Sequence, residues 1–380
     1  MYETIYNQNK VLYKYNKVHP ILEIIRHRFL KKLYNDFYYL CKKYNNHIIK
    51  PKTDDIFSRF IWKNTLYIDP VIPYREDKYD YLQFKIDLKN YKCNPEELLD
   101  KLNLEDTIKK FMIKYDQFYN NYDFNKSYKI IKDTNKMVLK YKGHTVKYND
   151  KILNKLIKYY NGKKHDKAGI IFCELYRYDY LDADNQQLAI NIDFKNDLTK
   201  FFGVNIEMFG SGINRFFKNY CSLFYDIEQF FGSLGNFFTI EPIQGLFMSN
   251  PPYDEDLMES MARHLVKCLD KTDKPLGFII TVPIWDGKMS REISNECNSK
   301  INNYEYYGCK EVIIKSKYFY REYAFCAKDF PYYNIKMDKM INTSNTYIYI
   351  IKNNLMEINT ELFENLLIKH NLKFVRVNKN

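Results

Sequence analysis

The second half of the chain alternates compact apolar runs with amphipathic segments. The runs Val204–Phe209, Gly245–Ser249 and Gly277–Val282 have the length and composition of buried strands. Phe194–Phe202 and Asp254–Leu269 carry apolar residues at helical spacing. Strands that alternate with helices predict an α/β fold with a mostly parallel sheet covered on both faces. Such sheets bind ligands at the carboxyl ends of their strands.

The first half is dominated by longer helical patterns. His19–Tyr44 and Pro95–Tyr119 have helical periodicity, whereas alternation in Lys126–Asp150 indicates strands or a hairpin around Gly143. The polar segment Asn161–Lys167 is the best candidate for a domain boundary. We therefore predict a mainly helical, basic N-terminal domain over residues 1–165, an α/β domain over 166–353, and a C-terminal tail or helix over 354–380.

Shorter patterns complete the predicted elements. They place a helix over Asn214–Phe224, a short strand over Phe237–Pro242, a strand or buried helix over Ile170–Leu175, and a late strand near the sheet edge over Thr346–Lys352. These assignments rest on apolar spacing within short windows, which does not separate a strand from a buried helix.

The tetrapeptide Asn250-Pro251-Pro252-Tyr253 joins a predicted strand to the clearest predicted helix. The exocyclic amine of adenine is a poor nucleophile because its lone pair is delocalised into the ring. The Asn250 side-chain carbonyl and the backbone carbonyl after it can accept hydrogen bonds from both N–H groups of such an amine. Proline fixes the backbone angle, and the ring of Tyr253 offers a face on which a base can stack. This context predicts methylation of a conjugated amine; the alternative is an ordinary proline turn.

Composition and charge favour an anionic partner. The 380 residues include 59 Lys and Arg against 47 Asp and Glu, a formal net charge of +12. An excess of cations favours RNA or DNA. The alternative explanation is an A/T-rich genome, as in large DNA viruses or cytoplasmic genetic elements, which enriches Lys, Asn, Ile, Phe and Tyr. Because 46% of the residues are hydrophobic and 17% are aromatic, the composition allows a large core and disfavours global disorder.

Metal-binding and membrane-spanning classes are disfavoured. The eight cysteines form no C-x-x-C pair, and His264 and Cys268 lie four residues apart without a second ligand pair, so we expect no metal site. The longest apolar stretch, Leu276–Trp285, is too short to span a bilayer, and Met1–Lys10 lacks a secretory signal pattern. We expect an intracellular, cytoplasmic protein, which for a virus-encoded chain includes the viral factory.

Two loops are candidates for a methyl-donor site, and S-adenosylmethionine is the usual donor for this tetrapeptide. The first loop contains Phe209, Gly210, Ser211 and Asn214. The second contains Asp226, Phe231, Gly232 and Ser233. A class I methyltransferase binds its donor at the end of the first strand, where small residues permit close approach. An acid in the next loop can accept hydrogen bonds from ribose hydroxyls. The alternatives are a tight turn and a surface turn with buried aromatic residues.

A longer set of positions extends the tetrapeptide on both sides. It comprises Phe202, Gly203, Val204, Glu207, Phe209, Asn214, Phe217, Tyr220, Cys221, Ser222, Phe224, Asp226, Phe231, Gly232, Ser233, Gly235, Pro242, Gly245, Asn250–Tyr253, Glu255, Leu257, Met258, Met261, His264, Pro275, Leu276, Phe278, Ile279, Pro283 and Trp285. This set resembles the phosphorylated-CTD-interacting-factor family of cap-specific adenosine N6-methyltransferases. The resemblance covers about residues 185–290 and is weaker over Tyr304–Asn353.

The resemblance implies a Rossmann-like class I methyltransferase domain with a helical lead-in. It also implies methylation of N6 on the first transcribed adenosine, usually 2′-O-methylated, next to the 7-methylguanosine cap, so capped mRNA is the expected partner. Carried over by position, Asn250–Tyr253 hold the adenine, and the two loops border S-adenosylmethionine. Arg28 and Arg59 are candidates for the lead-in arginines at the active centre, and Arg321 for a contact to a cap phosphate. Trp285 either stacks on the cap guanine or anchors the core.

The sequence departs from the family at several positions. Tyr253 stands where the animal members have Phe, so the ring is retained and a hydroxyl is added. Ile284 replaces an acid, which puts a local cap contact in doubt. The two tryptophans, Trp62 and Trp285, do not have the spacing of a WW module, so recruitment by a phosphorylated polymerase tail is not implied.

Two other functions remain open. The first is an N6-adenine methyltransferase that acts on DNA or internal RNA, which needs the same tetrapeptide and no cap pocket. The second is a catalytically idle RNA-binding subunit, which the intact tetrapeptide argues against. A protein-glutamine methyltransferase shares the chemistry and is disfavoured by the wider match and by the basic charge.

Overall fold

The computed structural model describes residues 4–6, 13–65, 68–181, 187–285 and 308–375. The helices, in chain order, are α1 (Pro20–Tyr44), α2 (Lys50–Asn64), α3 (Leu82–Asn90), α4 (Pro95–Leu102), α5 (Leu104–Asn121), α6 (Asp150–Tyr159), α7 (Lys167–Tyr180), α8 (Ile192–Phe202), α9 (Tyr225–Glu228), α10 (Glu255–Lys271), α11 (Gly308–Ile314) and α12 (Thr360–Lys369).

The strands form several small sheets and one large sheet. In chain order they are β1 (Thr4–Tyr6), β2 (Ile131–Asp133), β3 (Val138–Tyr141), β4 (His144–Lys147), β5 (Leu188–Ala189), β6 (Ile206–Glu207), β7 (Asn219–Tyr220), β8 (Ile240–Pro242), β9 (Gly245–Ser249), β10 (Leu276–Pro283), β11 (Phe319–Phe325), β12 (Tyr332–Asn334), β13 (Lys339–Ile341), β14 (Thr346–Lys352) and β15 (Phe374–Val375).

The described residues divide into two compact units. The helical unit comprises residues 11–147 and 164–180, and the sheet unit comprises residues 1–10, 148–163 and 181–380. The domain ranges predicted from the sequence stay a prediction.

The helical unit is built on α1, which begins after a capping residue. His19 Nδ1 accepts a hydrogen bond from the Ile21 N–H at 3.1 Å, and Pro20 takes the first helical position, where its missing N–H leaves no bond unmade. Strands β3 and β4 form the predicted hairpin around Gly143, whose φ of +80° lies in the region that glycine adopts readily.

The sheet unit contains a seven-stranded sheet in the order β15-β11-β14-β10-β9-β6-β7. β10, β9, β6 and β7 pair in parallel, whereas β14 is antiparallel to both of its neighbours, β10 and β11. The sheet is therefore mixed and not mostly parallel. The predicted edge position of Thr346–Lys352 is wrong, because β14 lies inside the sheet and is buried almost throughout.

Both faces of the sheet are covered, as predicted. Because neighbouring strand residues point to opposite faces, Phe247 joins one core and Leu246 and Met248 join the other. The first core contains side chains of α10 and α11, among them Met258, Met261, Leu265, Cys309 and Ile313. The second contains side chains of α8 and α12, among them Phe194, Leu198, Phe363, Leu366 and Leu367.

Local patterns failed where side chains satisfy the backbone. Asn214–Phe224 is not a helix but an irregular segment containing β7. Glu207 Oε2 accepts the Phe216 N–H at 2.8 Å, and Arg215 Nη1 donates to the Phe217 carbonyl at 3.0 Å, so these backbone groups bond outside any helical turn. Ile170–Leu175 lies within helix α7, and only the last three residues of Phe237–Pro242 form a strand, β8.

Candidate active site

Four neighbouring parallel strands end at one edge of the large sheet. Trp285 follows β10, the tetrapeptide Asn250–Tyr253 follows β9, the loop Phe209–Asn214 follows β6, and Asp226 lies in the segment after β7. The chain order reverses between β9 and β6, because β7 extends the sheet in one direction and β10 in the other. Open α/β sheets bind ligands outside the strand ends at such a reversal. The structure thus places the tetrapeptide and the first candidate loop on its two sides.

The tetrapeptide is held between β9 and α10. The backbone N–H of Asp254 donates to the Pro252 carbonyl at 2.9 Å, and the Asp254 side chain caps α10 by accepting the Leu257 N–H at 2.9 Å. The side-chain oxygen Oδ1 of Asn250 is buried and accepts no hydrogen bond from the described residues. Buried acceptors are normally satisfied, so this oxygen is an unused acceptor at the end of a central strand.

Tyr253 is fixed at its hydroxyl and along its ring. The hydroxyl donates a hydrogen bond to the hydroxyl of Tyr332, which lies on β12. The ring stands nearly perpendicular to the rings of Trp285 and Tyr332, at interplanar angles of 82° and 81° and centroid distances of 6.2 Å in both cases. Burial raises the pKa of the Tyr253 hydroxyl well above its ordinary value, so the group stays protonated and remains a donor.

The loop after β6 is braced by its own side chains. The Ser211 N–H donates to Asn214 Oδ1 at 2.8 Å, and the Asn214 N–H donates to Ser211 Oγ at 3.0 Å. Ser211 Oγ also donates to Gln187 Oε1 at 2.7 Å. Glu228 joins this loop to the next, because its two carboxylate oxygens accept the N–H groups of Gly212 at 2.9 Å and Phe224 at 3.1 Å.

Charged side chains from two helices support the two ends of the same loop. The Lys195 ammonium on α8 pairs with the Glu207 carboxylate, and both side chains are buried. The Lys155 ammonium on α6 donates to the carbonyls of Ile213 at 2.9 Å and Arg215 at 3.0 Å. The sequence prediction missed Lys155, Lys195 and Glu228. Lys195 lies next to Phe194 and three residues before Leu198, on the apolar side of α8. This position in the sequence could have indicated a buried charge.

The second candidate loop is more deeply buried. Asp226, Phe231 and Ser233 are all buried, and Ser233 Oγ lies 2.5 Å from Ser222 Oγ, next to the end of β7. Gly232 has a φ of +96°, and a Cβ there would lie 2.7 Å from the Lys218 carbonyl oxygen, so only glycine fits. Its buried side chains and its glycine fix the shape of this loop next to the end of β7.

Trp285 is half-buried and borders a cavity on the α10 side of the sheet. The cavity is lined by Met258, Val282, Pro283, Trp285, Cys309, Lys310, Tyr347 and Tyr349. Lys310 Nζ donates to the Tyr347 hydroxyl at 2.9 Å and lies 4.7 Å from the centroid of that ring. The position of Trp285 at the strand-end edge is compatible with both stacking and core anchoring.

The three candidate arginines do not follow the ends of the parallel strands. Arg28 and Arg59 belong to the helical unit, where Arg28 Nη2 lies 3.2 Å from His144 Nε2. Arg59 is paired with Asp87 at 2.9 Å and Asp55 at 2.8 Å. Arg321 lies within β11, which β14 and β10 separate from β9, and its side chain is exposed. Their assignments stay predictions.

Two further observations concern metals and membranes. The part of the chain that the structure describes holds no cluster of three or more His, Cys, Asp or Glu side chains that could bind a metal ion. His264 Nε2 instead donates to the Ile240 carbonyl at 2.9 Å. Among the described helices, none combines the length and the apolar character needed to cross a bilayer.

Known proteins match the part of the chain that contains these strand ends. The family model described as phosphorylated CTD interacting factor 1 WW domain matches residues 153–323. A human protein named mRNA (2'-O-methyladenosine-N(6)-)-methyltransferase is 31% identical over 165 residues, which cover 40% of this chain and 23% of the human protein. The mouse protein of the same name is 32% identical over 159 residues, covering 39% of this chain and 22% of the mouse protein.

The aligned part is thus about a quarter of the length of these relatives. The matched range contains the four strand ends and their loops. Of the two tryptophans in the sequence, this range includes Trp285 and not Trp62. Residues 153–323 therefore match the phosphorylated-CTD-interacting-factor family, and the resemblance predicted from the sequence is confirmed over this range.

Proposed function

We propose that this chain is an S-adenosylmethionine-dependent methyltransferase that modifies N6 of the first transcribed adenosine next to the 7-methylguanosine cap of mRNA. The observation that carries the proposal is the acceptor Oδ1 of Asn250 at the carboxyl end of β9, to which none of the described residues donates. The names of the human and mouse relatives specify N6 of 2′-O-methyladenosine in mRNA as their target. The net charge of +12 is compatible with an RNA partner.

Asn250 and the backbone after it would orient the target amine. An exocyclic amine has two N–H groups, and an amide oxygen is a suitable acceptor for one of them. The backbone carbonyl after Asn250 is the candidate acceptor for the other, and the two prolines restrict its direction. With both N–H groups engaged, the nitrogen lone pair is less delocalised and is held in one direction. Positioning of this kind is a large part of what an enzyme contributes to a transfer between two bound molecules.

Tyr253 would supply the stacking surface for the base. Its hydroxyl is bonded to Tyr332, so the ring is held at one end. Stacking of a base on an aromatic ring is worth about 1–3 kcal/mol and does not depend on which base is bound. The Asn250 oxygen then favours bases with an exocyclic amine, such as adenine, over uracil, because it requires a donor on the base.

The strand-end loops fit a nucleoside-containing methyl donor by the chemistry of their groups. The residues that would hold it are Phe209, Gly210, Ser211, Asn214, Asp226, Phe231, Gly232 and Ser233. When bound, S-adenosylmethionine supplies an electrophilic methyl group attached to a sulfonium. The carboxylate of Asp226 is of the type that accepts hydrogen bonds from ribose hydroxyls. The hydrogen bonds between Ser211 and Asn214 hold the first loop in one conformation before the donor binds. A loop that is preset loses less entropy on binding.

The finer fold assignment, a Rossmann-like class I methyltransferase domain, belongs to this proposal. The order β7-β6-β9-β10 supports it, since parallel strands wind outward from a reversal between β6 and β9. The antiparallel strand β14 between β10 and β11 extends the same sheet.

The test compares RNAs that differ only at the 5′ end. The protein is incubated with S-adenosylmethionine and RNA that begins with 2′-O-methyladenosine or adenosine, with or without the 7-methylguanosine cap, and digested nucleosides are measured by mass spectrometry. We expect N6-methylated product at the first nucleotide of capped RNA and little product from uncapped RNA. Asn250→Ala should abolish the product, whereas Asn354→Ala, which changes an exposed asparagine after β14, should leave it unchanged.

Each alternative has its own outcome. Equal methylation of capped and uncapped RNA, or of DNA, would replace the cap-specific assignment with a general adenine methyltransferase. No product on any substrate, together with no calorimetric binding of S-adenosylhomocysteine, would leave an idle RNA-binding subunit.

A further inference from the structure

A chain of hydroxyl groups runs from the tetrapeptide into the core of the sheet unit. The Tyr253 hydroxyl donates to the Tyr332 hydroxyl, which lies 3.1 Å from Thr346 Oγ1. Thr346 Oγ1 in turn donates to the Ser344 carbonyl at 3.1 Å. Each hydroxyl has one proton, and the terminal carbonyl only accepts, so every hydroxyl in the chain donates toward Ser344.

The chain joins three separate elements. Tyr253 follows β9, Tyr332 begins β12, and Thr346 begins β14; Tyr332 and Thr346 are almost completely buried at 1% and 0% exposure. Rotation of the Tyr253 side chain would leave its hydroxyl proton unpaired in this environment, which is unfavourable. The ring is therefore restrained by a partner 79 residues away in the sequence.

We propose that Tyr332 and Thr346 are positioning residues of the methyl-acceptor site, which hold the ring of Tyr253 in the orientation that receives the target base. This inference rests on the proposed function and extends it beyond the tetrapeptide. It also gives a reason for the hydroxyl that distinguishes Tyr253 from the Phe of the animal family members. A Phe ring is placed by packing alone, whereas this ring is placed by packing and by a directed hydrogen bond.

The donor direction along these hydroxyl groups predicts how kcat should differ between the single variants. Tyr253→Phe removes the first donor and leaves Tyr332 with its own bond to Thr346, so its kcat is the reference value for a ring placed by packing alone. Tyr332→Phe instead removes the acceptor of the Tyr253 proton, and the Tyr253 ring should move toward Thr346 Oγ1, the other hydroxyl that interacts with it. The loss of one hydrogen bond corresponds to about a tenfold effect, so kcat on capped RNA should fall by about tenfold. The KM for S-adenosylmethionine should not change.

The double variant Tyr253→Phe/Tyr332→Phe is the decisive one. Without the Tyr253 hydroxyl the ring no longer moves toward Thr346, so kcat should return to the level of Tyr253→Phe alone. A residue that merely stabilised the fold would give a double variant no better than the worse single variant. Thr346→Ser and Thr346→Val form a second pair: the serine keeps the hydroxyl and should retain activity, and the valine should lose it. Tyr333→Phe is the matched control, since the Tyr333 hydroxyl bonds to Asp338 and does not take part in the row of hydroxyls from Tyr253 to Ser344.

A second readout separates this inference from the proposed function. In a Trp62→Phe background Trp285 is the remaining tryptophan, and its centroid lies 6.2 Å from that of Tyr253. Its emission should shift in Tyr332→Phe and return in the double variant. If the wild-type protein methylates nothing, the proposed function fails. The emission of Trp285 would still show whether Tyr332 holds the Tyr253 ring in place. Unchanged kcat and emission in Tyr332→Phe, or a loss that the double variant does not reverse, would overturn the inference.

Discussion

Glu207 and Lys195 form a buried ion pair at the base of the loop that follows β6. The second carboxylate oxygen of Glu207 accepts the Phe216 N–H at 2.8 Å, so one side chain joins α8, β6 and the far end of the loop. A buried carboxylate that is paired and hydrogen-bonded is tolerated, whereas a buried ammonium without its partner is strongly unfavourable. The pair therefore ties the position of the candidate donor loop to the stability of the sheet unit.

We expect Glu207→Gln to lower the free energy of unfolding by about 3–5 kcal/mol, because it leaves the Lys195 charge buried and unpaired. Urea denaturation followed by circular dichroism measures this change. The double variant Glu207→Gln/Lys195→Met should be more stable than Glu207→Gln, because it removes the orphaned charge.

The matched control for this pair lies at the surface. Glu241 pairs with Lys271 at 2.6 Å, and both side chains are partly exposed, so Glu241→Gln should change the free energy of unfolding by less than about 1 kcal/mol. The free energy of unfolding of Glu207→Gln/Lys195→Met is compared with that of Glu207→Gln and Lys195→Met. If the losses of the two single variants simply add in the double variant, the charge of Lys195 is not what destabilises Glu207→Gln.

Asn250 should show opposite effects on activity and on stability. Its Oδ1 atom is buried without a donor among the described residues, so Asn250→Ala removes an unsatisfied acceptor. We expect the melting temperature to stay the same or rise, while methyl transfer falls by about 10²-fold or more, the usual effect of removing an active-site hydrogen-bonding group. Thermal unfolding and nucleoside mass spectrometry of the same preparation measure the two effects. A variant that lost stability in proportion to its activity would assign Asn250 a structural role.

Local sequence information was sufficient for the centre of the site. The apolar run before Asn250 and the helical spacing after Asp254 correctly predicted β9 and α10, and the structure gives Asp254 as the cap of α10. The covering of both sheet faces was also predictable, because strands buried on two sides are apolar at every position.

Contacts between distant residues were not predictable in this way. Tyr332 lies 79 residues from Tyr253, and nothing in its local pattern of residues indicates a partner in the tetrapeptide. The antiparallel insertion of β14 between β10 and β11 is likewise a matter of topology, since strand direction is not encoded in apolar spacing. In Asn214–Phe224, side-chain bonds from Glu207 and Arg215 replaced the helical bonds that the spacing suggested.

The helical unit should lose stability in acid through one buried carboxylate. Glu23 Oε1 accepts from Arg26 Nη1 and Arg177 Nη2, both at 2.6 Å. Burial alone would raise the pKa of Glu23, but Arg177 and Arg26 outweigh it and lower the pKa from 4.5 to about 2. A lowered carboxyl pKa contributes stability that is complete above pH 4.5 and is lost as the pH falls toward 2.

We therefore expect wild-type protein to lose about 3 kcal/mol through this group between those pH values, at about 1.4 kcal/mol per pH unit. Glu23→Gln should be less stable at neutral pH and should lack this part of the acid dependence. The measurement is the free energy of unfolding at several pH values for both proteins. Parallel pH profiles for the two would show that Glu23 does not titrate in this range.

Lys155 should make stability rise with pH in the alkaline range, as Glu23 does in the acid range. Burial lowers the pKa of its ammonium to about 8, the charges of Lys195 and Arg215 act in the same direction, and Glu207 opposes them. Between about pH 8 and the ordinary value of 10.5 the folded chain then binds fewer protons than the unfolded chain. Stability contributed by this group therefore rises with pH across that window, by no more than about 1.4 kcal/mol per pH unit.

The hydrogen bonds of Lys155 should survive this titration. A neutral amine keeps two N–H groups, which is the number needed for the carbonyls of Ile213 and Arg215. We expect Lys155→Met to lack the alkaline rise and to bind S-adenosylhomocysteine more weakly at every pH, because both bonds to the loop are lost. Calorimetric titration from pH 7 to pH 10 measures the binding. A wild-type affinity that collapsed above about pH 8 while Lys155→Met stayed constant would mean that the charge of Lys155, and not its pair of N–H groups, maintains the loop.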